Sequence, residues 1–313
     1  MNRKKYDISP DFEQWVNFNP PINGFSLRVI QKLMGWTILK EKSDDKVNIS
    51  MLNIPYGVGK TMKALLYSPN KIEGNAPCLM YLHGGGFVLP GAPHHFNNCR
   101  RYAVGAKCKV LYVDYPLAPK NKYPIPIEAC FSAYKWLIEN AKNLAIDPAK
   151  IAIGGDSAGG NMASVIFLKA KDNKIQLPCA QMLIYPAIGL ETETESMKEF
   201  TDTPMCNSKD YKAYTKMYFK SKTDFMDRYV SPMKEKDLSI FTKTYIETAE
   251  FDCLRDEALI FARELKKAKV KVSLHKTKQT MHGYDIVEDS EITKESLKKR
   301  IGFLKKIFED KLS

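Results

Sequence analysis

The chain has 313 residues, 44% of them apolar and 11% aromatic, which excludes a disordered or collagen-like polypeptide and allows a large core. No apolar run approaches the ~20 residues of a membrane-spanning helix, and the basic Asn2-Arg3-Lys4-Lys5 stretch has no apolar segment behind it; a cytoplasmic protein without stable membrane insertion is expected. A net charge of +12 is spread along the chain without any nucleic-acid-binding module, so no nucleic-acid partner is expected.

Residues 1–45 read as helical and aromatic (Phe12, Trp15, Phe18, Phe25, Trp36) and precede the first strand. Val47, Ile49 and Met51 then alternate with polar residues. A Gly57-Val58-Gly59 turn and the apolar run Met62 to Tyr67 complete an antiparallel hairpin. Beyond it, short apolar runs alternate with helical patterns. Cys78 to Leu82, Lys109 to Asp114, Ile151 to Ile153, Gln181 to Tyr185, Thr244 to Ala249 and Val270 to Leu274 read as strands. Helices are read from Ile127 to Ile138, Ala158 to Ala170, Asp256 to Ala268, and around Leu297, Ile301, Leu304 and Phe308. Strands separated by helices imply βαβ units and a mainly parallel sheet. Residues 188–229 break the rhythm, carrying Tyr211, Tyr214, Met217, Tyr218, Phe219 and Phe225 at helical spacing. The organisation expected is an α/β core over 46–187 and 230–313, with 1–45 and 188–229 either closing the core or forming a lid over an apolar pocket.

Gly155-Asp156-Ser157-Ala158-Gly159 follows a strand and opens a helix. A G-x-S-x-G turn in that setting forces the serine onto a sharp corner with its hydroxyl above the sheet. The alternative is a glycine-rich turn capped by serine. His83-Gly84-Gly85-Gly86-Phe87 follows another strand. Bare glycine amides there can approach a developing oxyanion. Gly84, Gly85 and Gly86 form that surface, with the N–H groups of Gly85, Gly86 and Ala158 as donors. The lysine and Ser/Thr of a phosphate-binding loop are missing, and His83 reads as a brace for the loop.

A serine hydroxyl needs a base, and the base an orienting acid; in this architecture the order is Ser, acid, His. Of the five histidines only His275 and His282 follow Ser157. His275 ends a strand, whereas His282 lies in the loop after it and can swing over the sheet edge. Asp252 is preferred as the acid, beyond the end of a strand expected to neighbour the serine's own; Asp256 competes but opens the next helix. Because the base must be neutral, activity is expected to rise with pH through about 6 to 7.

These motifs, with Asp114-Tyr115-Pro116-Leu117-Ala118-Pro119, Gly160-Asn161, Cys253-Leu254-Arg255-Asp256-Glu257 and His282-Gly283, resemble the hormone-sensitive-lipase-like branch of α/β-hydrolase carboxylesterases. The resemblance implies an α/β-hydrolase fold, with an eight-stranded, mostly parallel sheet flanked by helices and a helical cap. It also implies cofactor-free hydrolysis of short-acyl carboxylic esters by Ser157, Asp252 and His282. Phe87, Tyr185, Tyr214 and Tyr218 are the aromatic candidates for contact with a small-molecule ester. Pro116, Cys253 and Tyr284 stand where the family more often has Arg, Pro and Phe. An amidase or deacetylase with the same triad, or a non-catalytic receptor on the same fold, are the other readings. A homodimer through the edge-like strand Val270 to Leu274 fits the pattern, since its Lys271 would discourage open-ended pairing.

Overall fold

The strands are β1 (Val47–Pro55), β2 (Thr61–Pro69), β3 (Ala76–Leu82), β4 (Lys109–Val113), β5 (Ile146–Asp156), β6 (Ala180–Ile184), β7 (Lys243–Thr248) and β8 (Val272–Lys276). They form one sheet in the order β1-β2-β4-β3-β5-β6-β7-β8. β2 runs antiparallel to both β1 and β4, and every other pairing is parallel. The computed structural model describes residues 5–17, 24–72, 74–189, 193–221, 223–224 and 227–310; Met1 to Lys4, Phe18, Phe225 and the side chain of Phe25 lie outside them.

The helices are α1 (Glu13–Val16), α2 (Gly24–Gly35), α3 (Pro93–Ala106), α4 (Ile125–Asn140), α5 (Ala158–Asp172), α6 (Glu195–Glu199), α7 (Ser208–Tyr218), α8 (Arg255–Lys267) and α9 (Glu291–Glu309). Strand alternation sorts them into two layers. On β3, Cys78, Met80 and Leu82 pack into one core with α4, α5 and α8, whereas Leu79 and Tyr81 pack into the other with α3 and α9. A central strand covered on both faces is apolar at every position, as Cys78 to Leu82 is. α5 is buried from Ala158 to Ala170 without a polar face exposed, which makes it the rigid floor behind the site.

Three local expectations differ. α3 has no counterpart in the sequence reading: its buried face (Phe96, Cys99, Tyr102, Ala103, Ala106) is diluted by two histidines and two asparagines, although Pro93 marks its start. β1 does not keep one face inward. Val47 and Ile49 pack on the α3–α9 side, Met51 is exposed, and Leu52 and Ile54 pack on the other. An edge strand has each face only partly covered, so its pattern can change sides. Finally, β6 stands between β5 and β7, so the strand ahead of Asp252 is not the neighbour of the one ahead of Ser157.

Candidate active site

β5 ends at Asp156, α5 begins at Ala158, and Ser157 alone makes the corner with φ 51° and ψ −118°. A non-glycine residue in that conformation costs about 1–3 kcal/mol and must be held in place. The Ser157 N–H donates to the Ile184 carbonyl at 2.9 Å, and the Ser157 carbonyl accepts from Ala187 N–H at 3.1 Å. The turn also needs a close approach to β3. A Cβ on Gly159 would overlap the Leu82 carbonyl oxygen and lie 2.7 Å from that of His83, so only glycine fits.

His282 reaches this corner from the loop after β8. Its Nε2 lies 2.9 Å from Ser157 Oγ and its Nδ1 lies 2.8 Å from Asp252 Oδ2. The Nδ1–H donating to the carboxylate leaves Nε2 free to accept the serine proton. Asp252 is fully buried after β7, and its other oxygen accepts the Leu254 N–H at 2.9 Å. Burial opposes charge on His282, but the Asp252 carboxylate, by its field and its hydrogen bond, outweighs it and raises the imidazole to about 9. The competitors are engaged elsewhere. Asp256 accepts the Ser196 N–H at 2.8 Å, and His275 contacts Ser296 Oγ at 3.2 Å on α9.

The glycine loop lies beside the serine. The His83 ring stacks on Tyr115 with centroids 4.3 Å apart, and its Nδ1–H donates to the Gly84 carbonyl at 2.7 Å. Burial, with His95 nearby, lowers His83 to about 3 and keeps it neutral. Gly86, at φ 61°, presents its open side to Tyr214, whose ring would lie 2.6 Å from any Cβ there. Among the described residues, the N–H groups of Gly85, Gly86 and Ala158 donate to no backbone carbonyl and remain available to a ligand. Beneath the loop, the Asp156 carboxylate accepts from Tyr81 Oη at 2.7 Å and from His95 Nε2 at 3.2 Å, with Ala92 N–H donating to His95 Nδ1 at 2.8 Å. Burial opposes its charge, yet His95 and Tyr81 hold Asp156 well below the usual carboxylate range.

A cavity of about 600 Å³, lined mainly by apolar groups, opens onto Ser157, His282 and Gly84, Gly85 and Gly86. Phe87, Tyr185 and Tyr214 line it; Tyr218 sits behind Phe87, stacked on it at 4.1 Å, and is not part of the lining. Both anomalous segments contribute: Trp15, Ile30, Leu33 and Met34 from the N-terminal part, and Met205, Cys206 and Tyr211 from 188–229. The α2 and Met205 contributions had no sequence signal beyond general apolarity.

Behind His282 lies a polar cluster that no motif announced. Arg300 of α9, fully buried, donates from Nη1 to Asp285 Oδ2 at 2.7 Å and from Nε to Glu247 Oε2 at 3.1 Å. Asp285 also accepts from Tyr185 Oη, and the Tyr185 ring packs 4.8 Å from His282. Tyr284, where phenylalanine is commoner, uses its hydroxyl to donate to Glu247 at 2.6 Å. The cluster fixes the backbone just beyond His282.

Comparison with known proteins bears on the family and the fold. The family described as the alpha/beta hydrolase fold matches residues 79–286. Carboxylesterase NlhH of Mycobacterium tuberculosis is 36% identical over 223 residues, 70% of this chain and 70% of its own. Esterase LipI of the same organism is 34% identical over 68% of this chain and 67% of its own. A bacterial heroin esterase superposes with a TM-score of 0.87 at 28% identity, covering 97% of this chain and 99% of its own. Among the described residues, no helix is long and apolar enough to cross a membrane.

Proposed function

The chain belongs to the hormone-sensitive-lipase-like family of α/β hydrolases, and from that premise we propose that it is a carboxylic ester hydrolase working through an acyl-enzyme on Ser157. His282 Nε2 takes the Ser157 proton as Oγ attacks the ester carbonyl, and Asp252 holds the ring and stabilises the imidazolium. The oxyanion is met by the N–H groups of Gly85, Gly86 and Ala158, assisted by the positive end of α5. His282 then passes its proton to the departing alcohol. Water, activated by the same imidazole, releases the acid and restores the serine.

The observation that carries this reading is the continuous hydrogen-bond relay Ser157–His282–Asp252, at 2.9 and 2.8 Å, opening into an apolar cavity. The substrates are taken to be small esters with short acyl chains, as the family resemblance implies; the cavity of about 600 Å³ admits them, and Phe87, Tyr185 and Tyr214 supply apolar contact. Residues 1–45 and 188–229 act as the cap. Hydrolysis of a short-chain aryl ester by the wild-type protein and by Ser157→Ala tests the proposal. The variant is expected to lose on the order of 10⁴-fold or more in kcat with its circular dichroism unchanged. Retention of turnover within a factor of about ten would remove Ser157 from the mechanism.

A further inference from the structure

The outer wall of the cavity is α2, whose solvent side is also apolar. Seven large apolar side chains are exposed among the described residues, and four of them fall within eleven positions: Val29 (43%), Leu33 (60%), Trp36 (57%) and Leu39 (52%). Val29, Leu33 and Trp36 follow i, i+4, i+7 spacing and so form one stripe. The opposite side of α2 already has its partners. Leu27 is buried, Ile30 and Met34 face the cavity, and Gln31 Nε2 donates to the Val88 and Ala118 carbonyls at 2.7 and 2.8 Å. The outward stripe is therefore not a core face waiting for the rest of the fold.

Charge says what covers it. From Gly24 to Lys40 there is no Asp or Glu, whereas Arg28, Lys32 and Lys40 are all exposed. Glu41, the first acid beyond, is engaged by Arg100 at 3.3 Å. The Lys32 ammonium lies 5.9 Å from the Trp36 ring, so cation and aromatic share one surface. An apolar stripe with an exposed tryptophan, whose own segment carries cations and no acid, on a chain of net charge +12, is complementary to a surface with an apolar interior and an anionic skin. A second copy of this chain would bring the same cations against each other.

We propose that α2 and the turn Thr37–Lys40 dock onto an anionic phospholipid bilayer. The helix lies in the headgroup plane, with Val29, Leu33, Trp36 and Leu39 in the acyl boundary and Arg28, Lys32 and Lys40 on the headgroups. Leu33 belongs both to the stripe and to the cavity lining, so the docked face continues into the cavity mouth. This is adsorption and involves no spanning segment. It does not depend on the reaction assigned to Ser157.

Co-sedimentation of the full chain with vesicles of phosphatidylcholine and phosphatidylglycerol in equal parts, against pure phosphatidylcholine, tests the surface. The wild type is expected to favour the anionic vesicles, with binding that weakens as salt is raised. Val29→Ser/Trp36→Ser/Leu39→Ser, whose side chains are outside the cavity lining, should lower partitioning about tenfold or more while leaving turnover of a water-soluble ester unchanged. Arg28→Gln/Lys32→Gln/Lys40→Gln should lose about fivefold per charge on the anionic vesicles only. Equal wild-type binding to both vesicles, no binding to either, or undiminished binding by the serine variant would overturn the proposal. So would a wild-type dimer in light scattering that the serine variant converts to monomer, since the stripe would then be an interface between copies.

Discussion

Replacing Arg300 with methionine removes the only guanidinium in the cluster behind His282 while keeping most of the apolar stem. Arg300 bonds Glu247 through two of its nitrogens and Asp285 through Nη1 at 2.7 Å, and all three side chains are buried. Burial alone would push both carboxyls up; the Arg300 charge reverses this and holds each below its ordinary range. Breaking a buried pair from one side costs about 3–5 kcal/mol, because the remaining charge has neither water nor partner. For a chain of this size the corresponding fall in Tm is about 5–8 °C. The sign with pH follows. In the wild type the depressed carboxyls contribute stability above their unfolded values that is lost as pH falls. In Arg300→Met the same groups are raised, so the variant is penalised at high pH and relieved as they take up protons. Urea unfolding followed by circular dichroism at pH 8 and pH 5 should show a deficit that shrinks at the lower pH. Adding Glu247→Gln and Asp285→Asn should recover part of it. An unchanged midpoint at pH 8, or a deficit as large at pH 5, would refute the reasoning.

Two further outcomes concern the relay. With His282 raised to about 9, its neutral form is scarce at pH 7, so kcat/KM should rise about tenfold from pH 7 to pH 8 and level off only above 9. That is higher than the rise through about 6 to 7 expected for an ordinary imidazole, and a plateau already reached at pH 7 would contradict it. Asp252→Asn keeps an oxygen for the Leu254 N–H but removes the charge facing Nδ1. Its kcat on a soluble ester should fall on the order of 10³–10⁴-fold, and the pH limb should move down toward that of free imidazole. Loss of rate with no movement of the limb would leave Asp252 without the electrostatic role.

Local chemistry made part of this molecule legible from sequence. Cys78 to Leu82 and Ile151 to Ile153 are short, apolar and followed within two residues by glycine, and they form the centre of the sheet. The sequence around Ser157 carries its own steric requirements, since Gly155 and Gly159 are needed where Leu82 approaches. His282 and Asp252 could be proposed by order along the chain, and their side chains meet as that order requires. What was hidden depends on distant partners. Arg300, Glu247 and Asp285 look like ordinary surface charges until α9, β7 and the His282 loop converge. The position of β6 between β5 and β7 is a matter of crossover topology, which strand patterns do not encode. Tyr218 and Tyr214 share one helix at i, i+4 spacing, yet only Tyr214 faces the cavity because Phe87 interposes its ring before Tyr218.

The central claim is that one hydroxyl, held at a strained corner within reach of the His282 imidazole and unpaired amides, is the nucleophile. A fluorophosphonate probe followed by peptide mass spectrometry tests this directly, because the fluoride is displaced only by an activated side chain. The account predicts a single phosphonylated residue, Ser157, with loss of ester turnover in step with labelling and no labelling in His282→Ala. Labelling at another serine, or turnover that persists in protein fully labelled at Ser157, would contradict it.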